Sequence, residues 1–243
     1  MNSADVKQFA VIILQSLGEN DLKTGDILYN EIIKYKQFEE PNLHAEIYNV
    51  FDKIALIDCL ANLAKRITAE GLFPILHLET HGYEDGIQLA SGEKVEWIDM
   101  MPYCREINIQ LRNQLIVVLA VCVGISILGA IMPDERAPFR VMIGAVSDVS
   151  QIDMRNGFEN FYNIYFFTFN FKASVAALNT AIGDKTVFYI LAAERIFDDL
   201  INPERNPVFF EQIVNEQAVL AKSEHPQLKR FGFAVVRAIV EKK

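Results

Sequence analysis

Short apolar runs alternate along the chain with longer segments in which apolar residues recur at helical spacing. The runs are rich in Leu, Ile and Val, which is typical of strands buried on both faces of a parallel sheet. They predict strands over 9–14, 72–80, 115–124, 139–145 and 186–191. Helices are predicted over 22–38, 47–69, 100–111 and 173–182, and an aromatic-rich segment covers 157–171. This alternation predicts an α/β fold, with a mainly parallel sheet flanked by helices in three layers.

Local signals refine these elements. Thr24 and Asp99 are residue types that cap helix N-termini, and we expect them to cap the first and third predicted helices. The glycine-punctuated segment after the second predicted strand is typical of a β-hairpin, with strands over 86–89 and 94–98.

The apolar run over 115–132 raises the alternative of a membrane span. It contains no charged residue, and a run of about 18 such residues is long enough to be considered a transmembrane helix. No Lys or Arg cluster flanks it, however, and Gly124, Ser126 and Gly129 divide it. The pattern therefore favours a buried strand, a turn and a short helix over 124–132, with the span as the alternative.

Composition and charge narrow the class of protein. The 243 residues are 51% hydrophobic and 23% charged, which are globular values, and we expect one domain over 1–243 with a helical C-terminal extension over 195–243. The formal net charge is −9 and no basic block is present, which argues against nucleic-acid binding. The three cysteines form no close pair and no secretory signal is evident, so we expect a reducing cytoplasm.

Two residues with catalytic potential follow the predicted strands. Cys122 closes one apolar run, and His81 with Gly82 closes another. Open α/β sheets place reacting groups at the carboxyl ends of their strands. A neighbouring imidazolium favours the thiolate, which is the nucleophilic form of cysteine. The pair therefore predicts acyl transfer through a thioester, with Cys122 attacking and His81 protonating the leaving amine.

The oxyanion formed in such a reaction needs hydrogen-bond donors. The backbone N–H groups of Gly82 and Cys122 are the predicted donors, and a helix starting after Cys122 would add a favourable dipole. No third group that could orient the imidazole of His81 is evident from the sequence.

Metal chemistry is an alternative for the same strand. His77, Glu79 and His81 alternate along it and could face one way, as metal ligands do. No further Cys or His ligand is evident, and we expect no metal and no cofactor. The His77-x-Glu79 pair also matches the first half of the zinc deaminase signature. The second half of that signature, P-C-x-x-C, is missing. The PYCR stretch beginning at Pro102 resembles only the first part of it.

The segment over 73–124 resembles the core of the caspase-like (clan CD) cysteine peptidases, in particular the CHAT branch related to caspases and separases. In that fold one strand ends in His-Gly and the next ends in the catalytic Cys, as FPILHLETHG and LIVVLAVCVG do here. Cys122 follows His81 by 41 residues, near the roughly 50 residues typical of caspases. The hairpin, the strand FRVMIGA and the aromatic segment also follow the order of that branch, so the likeness covers roughly 70–195.

The resemblance implies a cysteine endopeptidase with His81 and Cys122 as its dyad. Asp148 follows the strand next to the catalytic one, where separase-like relatives hold an acidic residue, and would favour Lys or Arg at the cleaved position. The resemblance also implies an enzyme that stays inactive until an activating or sensor protein, or a ligand, binds it. Such an enzyme would belong to a prokaryotic antiviral-defence or signalling system. We expect a protein substrate and no direct nucleic-acid or membrane partner. A catalytically inactive caspase-like scaffold is the alternative.

Overall fold

The computed structural model describes residues 8–131, 135–183 and 186–201. The strands in these ranges are β1 Gln8–Ser16, β2 Leu43–Asn49, β3 Leu72–Tyr83, β4 Gly86–Gln88, β5 Lys94–Glu96, β6 Ile116–Ala120, β7 Val141–Ala145 and β8 Phe188–Ala192. The α-helices are α1 Thr24–Leu28, α2 Lys34–Glu39, α3 Lys53–Glu70, α4 Trp97–Gln110, α5 Gln151–Thr168, α6 Phe171–Ala181 and α7 Ala193–Ile201. A π-helical turn, Tyr29–Ile33, joins α1 to α2, and Gly124–Ala130 is a 3-10 helix.

The sheet is mixed and mostly parallel. Its strand order is β2-β1-β3-β6-β7-β8, and β1 pairs in parallel with β2 and β3, as does β6 with β3 and β7. The hairpin of β4 and β5 attaches in antiparallel fashion to the end of β3. The predicted α/β fold is therefore confirmed.

Helices cover both faces of the sheet because alternate residues of each strand point to opposite sides. Val11 and Ile13 of β1 belong to a core that includes buried side chains of α1, α5 and α6. Helix α3 lies on the other face, where Leu63 lines one pocket with Ile12 and Leu14 of β1. Helix α4 packs beside α3. The parallel strands are buried on both sides, which explains their nearly continuous apolar runs.

The described residues form two compact units. The first holds residues 8–130, 138–183 and 186–190, and the second holds 131, 135–137 and 191–201. The single domain over 1–243 stays a prediction. The predicted helical extension begins within α7, and its residues beyond 201 lie outside the described part of the chain.

The start of the predicted helix over 47–69 is wrong. Leu43–Asn49 is strand β2, which pairs in parallel with β1, and this tertiary pairing outweighs the helical spacing of the sequence. Helix α3 begins only after Asp52, whose carboxylate accepts a hydrogen bond from the backbone N–H of Ala55 at 2.9 Å. Asp52 is thus the N-cap that the sequence interpretation missed.

The two predicted N-caps also differ from the structure. Lys23 occupies the N-cap position of α1, and the hydroxyl of Thr24 instead donates to the buried carboxylate of Glu79. Asp99 lies in the first turn of α4, where its carboxylate pairs with Lys53 at 2.7 Å. A carboxylate in a first helical turn is still favourable, because it faces the positive end of the helix dipole.

The apolar run over 115–132 contains two short elements, strand β6 and the 3-10 helix Gly124–Ala130. In the described ranges, none of the helices combines the length and apolar character that crossing a membrane requires.

The aromatic residues of α5 fill the core on one face of the sheet. Five of them are buried, namely Phe158, Phe161, Tyr162, Tyr165 and Phe166. Their rings contact one another and the rings of Phe171 and Phe188, with centroids 4.5 to 6.4 Å apart. Phe167, on the same helix, is 85% exposed.

These two environments give a matched prediction. Phe161→Ala leaves a cavity in a closely packed cluster, and we expect it to lower the free energy of unfolding by about 3–5 kcal/mol. Phe167→Ala removes a solvent-exposed ring and should change that free energy by less than about 0.5 kcal/mol. Urea denaturation of both variants measures the difference, and equal losses would contradict this core assignment.

Candidate active site

Parallel pairing of β3 with β6 positions the two predicted catalytic residues. The register places Glu79 of β3 opposite Ala120 of β6. His81 and Cys122 each lie two residues beyond this pair, in the direction of the carboxyl ends of the strands. His81 and Cys122 therefore lie at equivalent positions on neighbouring strands. This places the imidazole and the thiol at the same edge of the sheet.

A small cavity at this edge is lined by both residues. Its volume is about 40 Å³. The lining residues come from four strand ends or loops and from α1 and α5, and they are Leu17, Thr24, Glu79, Thr80, His81, Ala120, Cys122, Val149, Gln151 and Met154.

Gly82 allows the two strand ends to approach closely. A Cβ atom added at Gly82 would lie 2.0 Å from the carbonyl oxygen of Cys122. No side chain fits there unless the backbone moves. The structure thus brings together the backbones of Gly82 and Cys122, the two predicted oxyanion donors.

The thiol of Cys122 is half-buried and contacts the loop that follows β7. The backbone N–H of Val149 donates to Sγ at 3.4 Å, and the thiol faces the carbonyl oxygen of Val149 at 3.7 Å. Val123 has a φ of 47°, a conformation unfavourable for a β-branched residue. Its N–H donates to the carbonyl of Ser147 at 3.3 Å. The backbone immediately after Cys122 is therefore sharply turned and hydrogen-bonded to the loop after β7.

His81 has a carboxylate partner that the sequence interpretation did not find. Asp21 Oδ2 lies 2.9 Å from His81 Nε2, and the two side chains are 22% and 50% exposed. Asp21 is held by the backbone N–H of Gly18 at 2.7 Å and by the side-chain amide of Gln151 at 3.0 Å. No orienting group for His81 was evident from the sequence, and the structure places the carboxylate of Asp21 in that position.

The sequence contains only part of the signal for Asp21. The polar turn after the first strand contains Asp21, and β1 pairs with β3 so that Ser16 lies opposite Thr80. The loop leaving β1 must therefore emerge beside His81. That neighbourhood depends on strand order, which the sequence pattern alone does not reveal.

Burial tends to raise the pKa of the Asp21 carboxyl, but the hydrogen bond with His81 and the donors Gly18 and Gln151 outweigh it, and the net pKa is lowered. These interactions favour the ionised form. A carboxylate beside an imidazole orients the ring and stabilises its protonated form.

His77 and Glu79 form a separate buried network. Glu79 Oε2 lies 2.9 Å from His77 Nε2, and His77 Nδ1 lies 3.1 Å from the hydroxyl of Tyr162. Thr24 donates to the other carboxylate oxygen of Glu79. Since His81 pairs with Asp21 instead, the side chains of the alternative metal site have other partners. Across the described ranges, no group of three His, Cys, Asp or Glu residues has a metal-binding arrangement.

The structure does not place Asp148 among the cavity-lining residues. Its side chain is exposed in the loop between β7 and α5, one residue before Val149. Its role in recognising a basic substrate residue stays a prediction.

The other two cysteines lie on helices away from the strand ends. All three cysteines are free thiols. Cys104 of α4 is fully buried, and burial raises the pKa of its thiol to about 12. Cys59 of α3 is partly buried, and its pKa is also raised by burial. Raised pKa values keep both thiols protonated and poorly nucleophilic at neutral pH.

Comparison with known proteins adds no family assignment. No protein-family model matches the sequence, and a search of curated proteins finds no significant relative.

The close approach at Gly82 gives a first test of this site. Gly82→Ala pushes a methyl group into the backbone of Cys122, and we expect the free energy of unfolding to fall by about 1–3 kcal/mol. Gly129→Ala is the matched control, because a Cβ there meets nothing within 4 Å. We expect this control to change stability by at most about 1 kcal/mol, in the stabilising direction. Thermal or urea unfolding of both variants measures these changes. A Gly82→Ala variant as stable as the wild type would contradict the close approach of Gly82 to the backbone of Cys122.

The lowered pKa of Asp21 gives a pH-dependent test. Folding favours the ionised form of the Asp21 carboxyl, so the ionised group stabilises the folded protein. This stabilisation is fully present above the ordinary pKa of 3.8, and it is lost as the pH falls through the lower pKa of the folded state. We expect Asp21→Asn to be less stable than the wild type at pH 6.5, by up to about 1 kcal/mol. The difference should shrink near pH 3.5, within the range of about 5 to 1 over which a salt-bridged carboxylate loses its contribution. Urea denaturation at both pH values measures it, and a pH-independent difference would argue against the ion pair.

Proposed function

We propose that this protein is a cysteine endopeptidase of the caspase and CHAT type, with Cys122 as nucleophile and His81 as general acid and base. The observation that carries the proposal is that His81 and Cys122 line one cavity at the carboxyl ends of two paired parallel strands. A thiol and an imidazole at the same edge of the sheet are the two groups that thioester chemistry requires at minimum.

The surrounding architecture supports the resemblance to that family. The strand ending in His-Gly lies directly beside the strand that precedes the cysteine. A short hairpin follows the histidine and attaches to the end of β3. Both features are those that the sequence resemblance leads one to expect.

The proposed reaction uses the chain's own groups at each step. Cys122 Sγ attacks the carbonyl carbon of the scissile peptide bond while its proton passes to His81. The C–N bond then breaks as the imidazolium returns that proton to the leaving amine, which leaves a thioester on Cys122. Water, activated by His81, attacks the thioester, and the thiol leaves with a proton. Asp21 engages Nε2 of His81, so Nδ1 is the nitrogen assigned to proton exchange.

The oxyanion is assigned to the backbone N–H groups of Gly82 and Cys122. Their backbones are close enough that no side chain fits between them. Donors fixed on a rigid strand end need no reorganisation as the negative charge develops, and each is typically worth about 3–4 kcal/mol in the transition state.

An activating partner or ligand is part of the proposal. In this conformation the thiol faces the backbone of Val149, and the cavity beside it measures only about 40 Å³. A peptide substrate needs more room, so the loop over 146–150 has to move before cleavage. We propose that a sensor protein or its ligand moves it, within a cytoplasmic prokaryotic defence or signalling system, and that the substrate is a protein cut after a basic residue.

A thiol-reactive peptide warhead with Arg at its terminal position tests this function. It would be applied to wild type, Cys122→Ala and His81→Ala, with labelling read by intact-protein mass spectrometry. In the presence of the candidate activating partner, we expect one label on the wild type, none on Cys122→Ala, and a rate reduced by about a hundredfold or more on His81→Ala, as for loss of a general acid–base group.

The other outcomes are also informative. Equal labelling of wild type and Cys122→Ala would contradict the assignment of the nucleophile. A wild type that stays unlabelled alone and in the presence of candidate partner proteins would favour the inactive scaffold. Equal reaction with Asp-ending and Arg-ending warheads would refute the basic preference while leaving the dyad in place.

A further inference from the structure

Glu79 is a buried carboxylate inside the cavity that also contains the thiol. Its residue is only 2% exposed, and it lines the cavity together with Cys122 and His81. The proposed reaction does not use it. A carboxylate in such a site is costly to bury unless it is paired.

Glu79 has no lysine or arginine among its partners in the described part of the chain. Glu79 Oε2 lies 2.9 Å from His77 Nε2, and the hydroxyl of Thr24 donates to the other carboxylate oxygen. The second ring nitrogen of His77, Nδ1, lies 3.1 Å from the hydroxyl of Tyr162. One hydroxyl and one imidazole therefore hold this buried carboxylate.

The carboxylate has capacity for a further donor. An ionised carboxylate offers about four acceptor positions on its two oxygens. In the described part of the chain, each oxygen of Glu79 has one hydrogen-bond partner, the hydroxyl of Thr24 on one and Nε2 of His77 on the other. Ala120 lies opposite Glu79 on β6, and its small side chain leaves space beside the carboxylate.

The size of the cavity limits what can approach this charge. A bound water occupies about 10–15 Å³ in a comparable measure, so a cavity of about 40 Å³ accommodates roughly three water-sized groups. That is enough for an ammonium group with its last methylene groups before the loop over 146–150 moves.

We propose that Glu79 is the specificity-determining residue of this site and that it binds a compact cation of the substrate, with the ammonium group of lysine as the fitting case. This inference rests on the proposed peptidase function and assigns its basic preference to the carboxylate inside the cavity rather than to Asp148. An ammonium donating to Glu79 would form a charge-assisted hydrogen bond with the buried carboxylate and place the adjoining backbone at Cys122.

Protection of Cys122 from alkylation tests the cation site without requiring turnover. Iodoacetamide would be applied with n-butylammonium chloride or with n-butanol, a neutral probe of the same chain length, and modification of Cys122 would be followed by peptide mass spectrometry. We expect n-butylammonium to slow alkylation of the wild type at least severalfold more than n-butanol does. Titration calorimetry with the same two probes gives a second reading that needs no thiol reagent.

Two carboxamide variants distinguish the two carboxylates. Glu79→Gln keeps an acceptor for His77, and we expect it to lose the difference between the two probes. Asp148→Asn should keep that difference. Equal effects of n-butylammonium and n-butanol on the wild type would overturn the inference even if Glu79→Gln failed to fold. Loss of the difference in Asp148→Asn, or its retention in folded Glu79→Gln, would overturn it as well.

Reporter peptides ending in Lys or in its neutral analogue norleucine connect the site to substrate choice. We expect a Lys preference in the wild type and Asp148→Asn, and none in Glu79→Gln. Failure of the peptidase proposal looks different, because cation protection would then persist without hydrolysis of any reporter even in the presence of the candidate activating partner. Hydrolysis of the reporters without cation protection and without a Lys preference would instead support the peptidase proposal and contradict the role of Glu79.

Discussion

The parallel pairing of β3 with β6 is the interaction on which the site depends. Its register sets His81 and Cys122 at equivalent positions beyond the pair of Glu79 and Ala120. The strands lie in the middle of the sheet, with β1 and β7 as outer neighbours, so their positions are fixed by hydrogen bonds on both sides. Gly82 completes the arrangement by letting the two strand ends touch. A slip of one residue in this register would turn one of the two reactive side chains to the other face.

The loop between β7 and α5, together with the first residue of α5, contacts both Cys122 and the partner of His81. Val149 contacts the thiol of Cys122, while Gln151 donates to Asp21 and accepts from the backbone N–H of Leu22. Any movement of this segment therefore changes the surroundings of Cys122 and of Asp21, the partner of His81, together. This coupling supplies a physical reason why one event, such as binding of a partner at the loop, could release the thiol and open the cavity.

The sequence predicted those features that depend on local pattern. The apolar runs located β3 and β6 because strands buried on both faces need continuous hydrophobic residues, and they placed His81 and Cys122 at the strand ends. Strand β2 was missed because its identity comes from pairing with β1. Asp21 was missed because it meets His81 only through the strand order. Thr24 was interpreted as a cap because its actual partner, Glu79, is distant in the sequence.

The measurement that tests the interaction of His81 with Cys122 most directly is the rate of Cys122 alkylation by iodoacetamide at pH 7. It requires no substrate and no activator. Wild type would be compared with His81→Ala and with His44→Ala, a control in which the lost histidine pairs with Glu46 on β2 instead. We expect alkylation to slow by about tenfold or more in His81→Ala, because Cys122 loses the imidazole that accepts its proton in the proposed reaction, and to be unchanged in His44→Ala. Equal rates in all three proteins would show that His81 does not act on Cys122.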